Sequence, residues 1–319
     1  MTRARVAVVG SLNADLTLLV DRLPGPGETV LSSAPGTVGF GGKGGNQAAA
    51  AAAFGAGVTM IGRIGDDDVG QRIRGDLAER GVDVSGVRIT PGARSGGATI
   101  AVNPAGENLI LVDPGANGQL SPADIGPDVL GRAAAVLLQL EVPVPTVFAA
   151  ASMATAPVVL NPAPAIPLSV GLLERVTVLV PNQTELALLA GAPPPATPPA
   201  GRGPAGLAAI AALARKLPAD LDVVVTLGAS GALVVPRRGG PVTHIGAPKV
   251  TAVDATGAGD CFCGTLAVSL ASGVSLAEAA RISVAAAALS VTVAGARGLL
   301  PGPDEAEALA ATLTARPVN

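Results

Sequence analysis

Short runs of consecutive apolar residues punctuate the chain at RVAVVG (5–10), AVLLQL (135–140), PVVLN (157–161), VTVLVPN (176–182) and DVVVTLG (222–228), each closing on Gly, Asn or a polar turn. Strands buried on both faces have this pattern. Alanine-rich stretches of helical length separate them, at 44–54, 70–80, 143–154, 184–190 and 204–217. The alternation predicts an α/β fold: a doubly wound, mostly parallel sheet with helices on both faces and right-handed crossovers. Two segments, 14–40 and 96–113, read differently. Their short pieces (LTLLV, ETVLSS, GATIAVN, ENLILVD) lie between Pro and Gly turns and predict a small antiparallel β lid with one exposed face. The last third carries long apolar helical patterns at 257–272 and 276–293, then a short helix from Asp304 to Arg316. The proline-rich tract 191–203 predicts a surface loop, and no internal repeat is visible. The expected organisation is a single domain over 1–319 with the lid inserted in it.

Composition narrows the function. At 319 residues and 49% hydrophobic the chain can bury a large core, but aromatics are only 1%, so Ala, Val, Leu and Ile must fill it. A net charge of −3 and the scarcity of stacking platforms argue against nucleic-acid binding and leave small molecules as the expected partners. No apolar run approaches the ~18 residues of a membrane span. The N-terminus enters a strand without a secretory pattern, so a cytoplasmic protein is expected. Cys261 and Cys263, two apart on a predicted helix, point apart and read as packed free thiols. His244 is the single histidine. That excludes a multi-histidine metal cluster, and its ordinary reading is a neutral core or surface residue.

The stretch DATGAGDCFCG (254–264) places an acid after a Gly-Ala-Gly turn at the start of a buried helix. Helix N-termini present unpaired N–H groups, and Gly257 and Gly259 permit close approach of an anion to the backbone. Asp260 is then either a general base beside a transferring phosphoryl group or a simple helix cap. The turn is not G-x-G-x-x-G, because position 262 is Phe, and no P-loop occurs. A second glycine-rich segment, GFGGKGGNQ (39–47), sets Lys43, one of three lysines, among Gly39, Gly41, Gly42, Gly44 and Gly45, with Asn46 and Gln47 beyond. Its density of glycine predicts close backbone contact with a ligand, with a flexible loop as the alternative. Asn13 and Asp15 follow the first strand, and Glu141, Asn161, Asn182 and Glu185 follow later ones. They form a polar row at the carboxyl edge, where open α/β sheets bind ligands, and suit the vicinal hydroxyls of a sugar.

The ordered segments GSLNADLT, PGPGETV, GFGGKGGNQA, GDDDVG, GEN, GAN, QLE, NPAPA, PNQTE, TLGASG and DATGAGD resemble the carbohydrate and nucleoside kinases of the phosphofructokinase-B type, over about residues 5–300. NAD, GGKGGNQ and QLE together resemble the ribokinase group within it. The resemblance implies a ribokinase-like fold whose β lid often mediates a homodimer, and ATP-dependent phosphorylation of the 5-hydroxyl of D-ribose. Alternatives are a kinase for another sugar or nucleoside (fructose, deoxyribose), or a non-catalytic sugar-binding protein. It further implies that Asn13, Asp15, Gly41, Gly42, Lys43, Asn46, Glu141 and Asp260 bind the sugar. Asp260 would act as base beside an anion hole of Gly257, Ala258 and Gly259. Asn182 and Glu185 would organise the phosphates and Mg²⁺, while Thr226, Gly228, Gly231 and Gly259 would line the nucleotide site. Asp254, Thr256, Ser290, Val293 and Gly295 match a monovalent-cation (K⁺) site, whose last ligand, a serine, is replaced here by Leu299.

Overall fold

A computed structural model describes residues 3–193 and 204–318. Most of the expected proline-rich loop, 194–203, lies outside the described residues. The chain runs β1 (Arg5–Val9), β2 (Asn13–Leu19), β3 (Thr37–Gly41), α1 (Lys43–Ala53), β4 (Gly57–Gly65), α2 (Asp68–Glu79), β5 (Val82–Thr90), β6 (Gly96–Val102) and β7 (Asn108–Asp113). It continues through α3 (Pro127–Gly131), β8 (Ala135–Leu138), α4 (Val144–Met153), β9 (Val158–Leu160), α5 (Val170–Leu173), β10 (Val178–Leu179) and α6 (Gln183–Leu189). The last part holds α7 (Pro204–Ala214), β11 (Asp222–Thr226), β12 (Ala232–Val235), β13 (Thr243–Ile245), α8 (Ala258–Ala271), α9 (Leu276–Ser290), α10 (Pro303–Ala310) and β14 (Ala315–Pro317).

Ten strands form one sheet in the order β14-β13-β12-β11-β10-β9-β8-β1-β4-β5. Pairings from β5 through β11 are parallel, and β12, β13 and β14 add an antiparallel flank. The expected doubly wound sheet is present. Its order reverses at β1, which lies between β4 and β8, so a crevice opens beyond Val9 and Leu138. One face buries α1, α8 and α9; the other buries α4, α5, α6 and α7. No helix among the described residues is long and apolar enough to cross a membrane.

The second sheet has the order β3-β2-β6-β7. Two of its pairings are antiparallel as expected, but β2 and β6 are parallel. The reason is geometric: β2 continues from β1 and β6 from β5, and both leave the same edge of a parallel sheet. ETVLSS forms no strand beyond one bridge, Val20 to Ser32. The apolar-run criterion also passes over β4 and β5, whose sequences are interrupted by Gly62, Arg63 and Gly86. The helix expected to reach Arg316 ends at Ala310, and Ala315–Pro317 pair with β13 instead. Thr312 and Thr314 weaken the helix there, while β13 offers an open backbone edge.

Small residues set how closely α1 and α8 approach. Ala48, Ala50 and Ala51 are buried at the contact. A Cβ on Gly264 would lie 2.7 Å from the Gln47 carbonyl and 2.8 Å from Ala50 Cβ. Gly264→Ala therefore tests the contact, since Ala is otherwise the better helix former by about 1 kcal/mol. The variant is expected to lose about 1–3 kcal/mol to overpacking, read from the midpoint of urea unfolding. An unchanged or higher midpoint would show that the two helices are not packed to their limit.

Candidate active site

Strand β1 ends at the reversal point, and the next residues turn into the second sheet. Ser11 and Asn13 are buried there. Asn117 holds this turn: its side chain accepts from the Leu12 N–H at 2.9 Å and donates to the Leu12 carbonyl at 3.1 Å and to Asn13 Oδ1 at 2.7 Å. Across the crevice, Glu141 follows β8 and accepts from the Ser11 hydroxyl at 2.5 Å and the Lys43 amide at 3.0 Å. Gly42, at φ 79°, turns the chain from β3 into α1. A residue with a side chain is strained there, and its Cβ would lie 2.7 Å from the Asn13 nitrogen.

Asp260 stands in the first turn of α8, after Gly257 in the left-handed conformation at φ 76°. It does not cap its helix. Its Oδ2 accepts from Asn46 Nδ2 and its Oδ1 from Gln47 Nε2, both at 2.9 Å. Gln47 is oriented in turn, since its Oε1 accepts from Gln139 at 2.6 Å. Of the expected anion-hole amides, Ala258 N–H donates to the Ala255 carbonyl at 3.2 Å. The N–H groups of Gly259 and Asp260 have no acceptor among the described residues, as the first turn of a helix dictates.

The site is electrostatically loaded. Burial raises the Asp260 carboxyl above the ordinary carboxylate range, against the opposing pull of Lys43 and the two amides. Burial also works to lower the Lys43 ammonium, but Asp260, Glu141 and Glu185 outweigh it and the net shift is upward. Asp15 on β2 is raised to about 6, chiefly by burial and then by Glu141. Its Oδ1 is buried without a hydrogen-bond partner. Gly41 makes room for it, because a Cβ there would meet Asp15 Oδ2. The expected acceptor-site residues, Asn13, Asp15, Gly41, Gly42, Lys43, Asn46, Glu141 and Asp260, thus converge at the mouth of β1, β8 and α1.

The expected nucleotide residues lie next to them along the same edge. Asn182 and Glu185 form a reciprocal capping box on α6, each side chain accepting from the other's backbone N–H at 2.8 Å. Burial pushes the Glu185 carboxyl up, and Lys43 and Asp260 both act on it. Asn182 bridges to Thr226 at the end of β11. Gly228 (φ 56°) and Gly231 (φ 91°) bound the turn that follows, and His244 packs its Nε2 2.9 Å from the Ser230 carbonyl. In the third set, Asp254 accepts from Thr256 N–H at 2.9 Å and Gly295 N–H at 2.8 Å. Burial works against it, yet these bonds hold its carboxyl below the usual range. Ser290 instead donates to the Ala287 carbonyl at 2.9 Å, and Val293 is exposed. Cys261 and Cys263 are free and buried, with burial pushing the Cys261 thiol up to about 12.

Sequence reasoning assigned no role to Gln47, Gln139, Asn117 or Arg297. Gln47 stands out as a polar residue where a linker would need none, and Gln139 and Asn117 lie within the segments QLE and GAN. A depression of about 450 Å³ lined by Arg5, Gly57, Asp83 and Arg132 lies at the opposite ends of the strands, away from these groups.

Asp15 yields a prediction. A carboxyl raised by folding is protonated more readily in the native than in the unfolded chain, so native stability falls as pH rises from about 4 through about 6. Asp15→Asn should be more stable than wild type at pH 7.5, by on the order of 1–3 kcal/mol, and should lose that advantage at pH 4. Parallel thermal-midpoint curves for the two ligand-free proteins across this range would refute it.

Against known proteins, the pfkB family carbohydrate kinase profile matches residues 3–302. The ribokinase of Haemophilus influenzae is 36% identical over 304 residues, covering 94% of this chain and 96% of the relative. The deoxyribokinase of Salmonella typhi is 36% identical over 305 residues, covering 93% and 95%. Among solved structures, Arabidopsis thaliana ribokinase complexed with ribose and ATP superposes with a TM-score of 0.83 at 31% identity, covering 97% and 99%. A matching profile over nearly the whole chain, on this fold and with this buried acid at the head of α8, makes the protein a member of the pfkB family of carbohydrate kinases.

Proposed function

We propose that this kinase transfers the γ-phosphoryl group of ATP to the 5-hydroxyl of D-ribose, giving ribose 5-phosphate and ADP. One observation carries the reading: a buried carboxylate held by Asn46 and Gln47 at the N-terminus of α8, with the Gly259 N–H beside it donating to no acceptor among the described residues. Asp260 accepts the proton of the attacking hydroxyl, and a raised carboxyl is a stronger base for that step. The free amides, with Gly257 turning the chain toward them, stabilise charge developing on the transferring group. Positioning and charge neutralisation suffice for this chemistry, so no protein nucleophile is needed. Asn13, Asp15 and Lys43 would grip the sugar, as in the relatives the sequence resembles. The curated ribokinases and the Arabidopsis complex support ribose as acceptor. The equally similar deoxyribokinase keeps deoxyribose as the second candidate.

No cluster of three or more acids, histidines or cysteines able to cage a metal occurs among the described residues. Mg²⁺ retains waters and substrate phosphates and needs only one or two protein carboxylates. Glu185 would supply that carboxylate, with Asn182 beside it. When bound, Mg²⁺ would neutralise phosphate charge. The 254–256 segment folds against 291–295, with Asp254 at its centre, and fits the proposed K⁺ site even though Leu299 brings no side-chain hydroxyl. Leu109, Ile110, Leu111 and Val112 on β7 are exposed and fit a homodimer through the second sheet acting as lid. The substrate pair fits a cytoplasmic enzyme.

Steady-state ADP release with ribose, deoxyribose, fructose and nucleosides tests the acceptor. The highest kcat/KM is expected for ribose, and a tenfold preference for another acceptor would remove it while leaving the family unchanged. Asp260→Asn should lower kcat by roughly 10²–10⁴-fold with ribose affinity within a few-fold, whereas Asp15→Ala should act mainly on the ribose KM. Equal loss of both properties in both variants would mean that the roles are misassigned.

A further inference from the structure

One buried cation reaches the acceptor site from behind. Arg297 lies in the loop between α9 and α10, only 7% exposed. Its Nε–H donates to Asn46 Oδ1 at 2.9 Å, and its terminal nitrogens donate to Asp76 Oδ2 on α2 at 2.6 Å and to the Gly41 carbonyl at 2.9 Å. A buried guanidinium is costly unless its donors are satisfied and its charge is paired, and this one meets both conditions.

We infer that Arg297 is a positioning residue of the acceptor site, fixing the amide of Asn46 so that its nitrogen faces Asp260. This rests on the phosphotransfer reading above. An asparagine amide can face two ways, and nothing in its shape prefers either. With Oδ1 committed to the guanidinium, the NH₂ group remains for Asp260 Oδ2, as observed at 2.9 Å. Without the arginine, the flipped amide becomes accessible and would turn an oxygen toward the carboxylate, repelling it. The same guanidinium holds the carbonyl of Gly41, the residue packed against the Asp15 carboxylate, so it braces the acceptor pocket at two points. Asp76 anchors it from outside the site.

Gly45 reports on the same contact. A Cβ at this position would lie 2.4 Å from a terminal nitrogen of Arg297. Alanine is otherwise favoured in a helix, so glycine is kept here by the arginine.

The test compares Arg297→Gln, Gly45→Ala and the double variant with wild type, on ribose and ATP. Arg297→Gln is expected to lower kcat about 10–100-fold and raise the ribose KM several-fold, leaving the ATP KM within about twofold. Gly45→Ala leaves the arginine in the chain but displaces its head, and should show the same split. In the Arg297→Gln background, where the side chain is shorter and uncharged, Gly45→Ala should add no further loss. A folded Arg297→Gln protein with kcat within twofold of wild type would overturn the inference. So would losses spread equally over kcat and both KM values, or a further loss from Gly45→Ala in that background. If Arg297→Gln proves insoluble, Gly45→Ala decides alone: the split supports the inference and full activity overturns it. Wild type run alongside separates the two readings. Its failure to turn over ribose refutes the acceptor assignment, and the variants are then compared on the sugar that it does phosphorylate.

Discussion

The carboxylate of Asp260 is held across a helix–helix contact, and the geometry of the site follows from that grip. Two side-chain amides from α1 reach it at 2.9 Å each. That reach requires the helix backbones to approach more closely than bulky residues would allow. Gly264 on α8 and the alanines of α1 provide the approach. A composition with 1% aromatics and long alanine runs thereby acquires a structural meaning. The core facing α1, α8 and α9 is built largely of small side chains because a close approach, rather than a large apolar volume, is what the site needs.

Direction matters as much as distance. Gln47 and Asn46 both turn their nitrogens to Asp260, and in both the oxygen is already taken, by Gln139 in one and Arg297 in the other. Carboxylates crowd this edge, and Lys43 and Arg297 are the cations that offset Asp15, Glu141 and Asp260. Burial of the two carboxyl groups is the largest effect, with Glu141 adding to it, which is why the shifts at Asp15 and Asp260 are upward although cations are near.

Much of this was legible in the sequence, and what was not has a common cause. Apolar runs and alanine periodicity located β1, β8, β9 and β11 and most of the helices, because those strands are buried on both faces and announce themselves locally. β4 and β5 escaped because Gly and Arg interrupt them. β14 escaped because an edge strand is made by its partner rather than by its own pattern. At the site, Asp260, Lys43 and the glycines were readable from the turn chemistry that surrounds them. Arg297 was not, since it lies 251 residues from Asn46 and the cation pattern around Gly295 and Leu299 gives position 297 no role. The alternative of a helix cap for Asp260 also could not be dismissed from sequence. It fell only when both oxygens were seen to be occupied by another helix.

The arrangement of the two sheets adds a last step. Asn13 and Asp15 belong to β2 of the smaller sheet, whereas Glu141 and Asp260 belong to the larger body. A sugar gripped by both sets would therefore tie the sheets together, and closing the smaller one would exclude the water that competes for the phosphoryl group. The root of β6 is tied to the larger sheet. Asp67 caps α2 through the Gly70 N–H at 2.8 Å and also accepts from the Ser95 hydroxyl at 2.6 Å and N–H at 2.8 Å. The Ser95 hydroxyl in turn accepts from the Gly65 N–H at 3.0 Å, at the end of β4. The small sheet is thus tied through Ser95 to the helix cap of α2, through residues 10–12 to β1 and through Gly42 to α1.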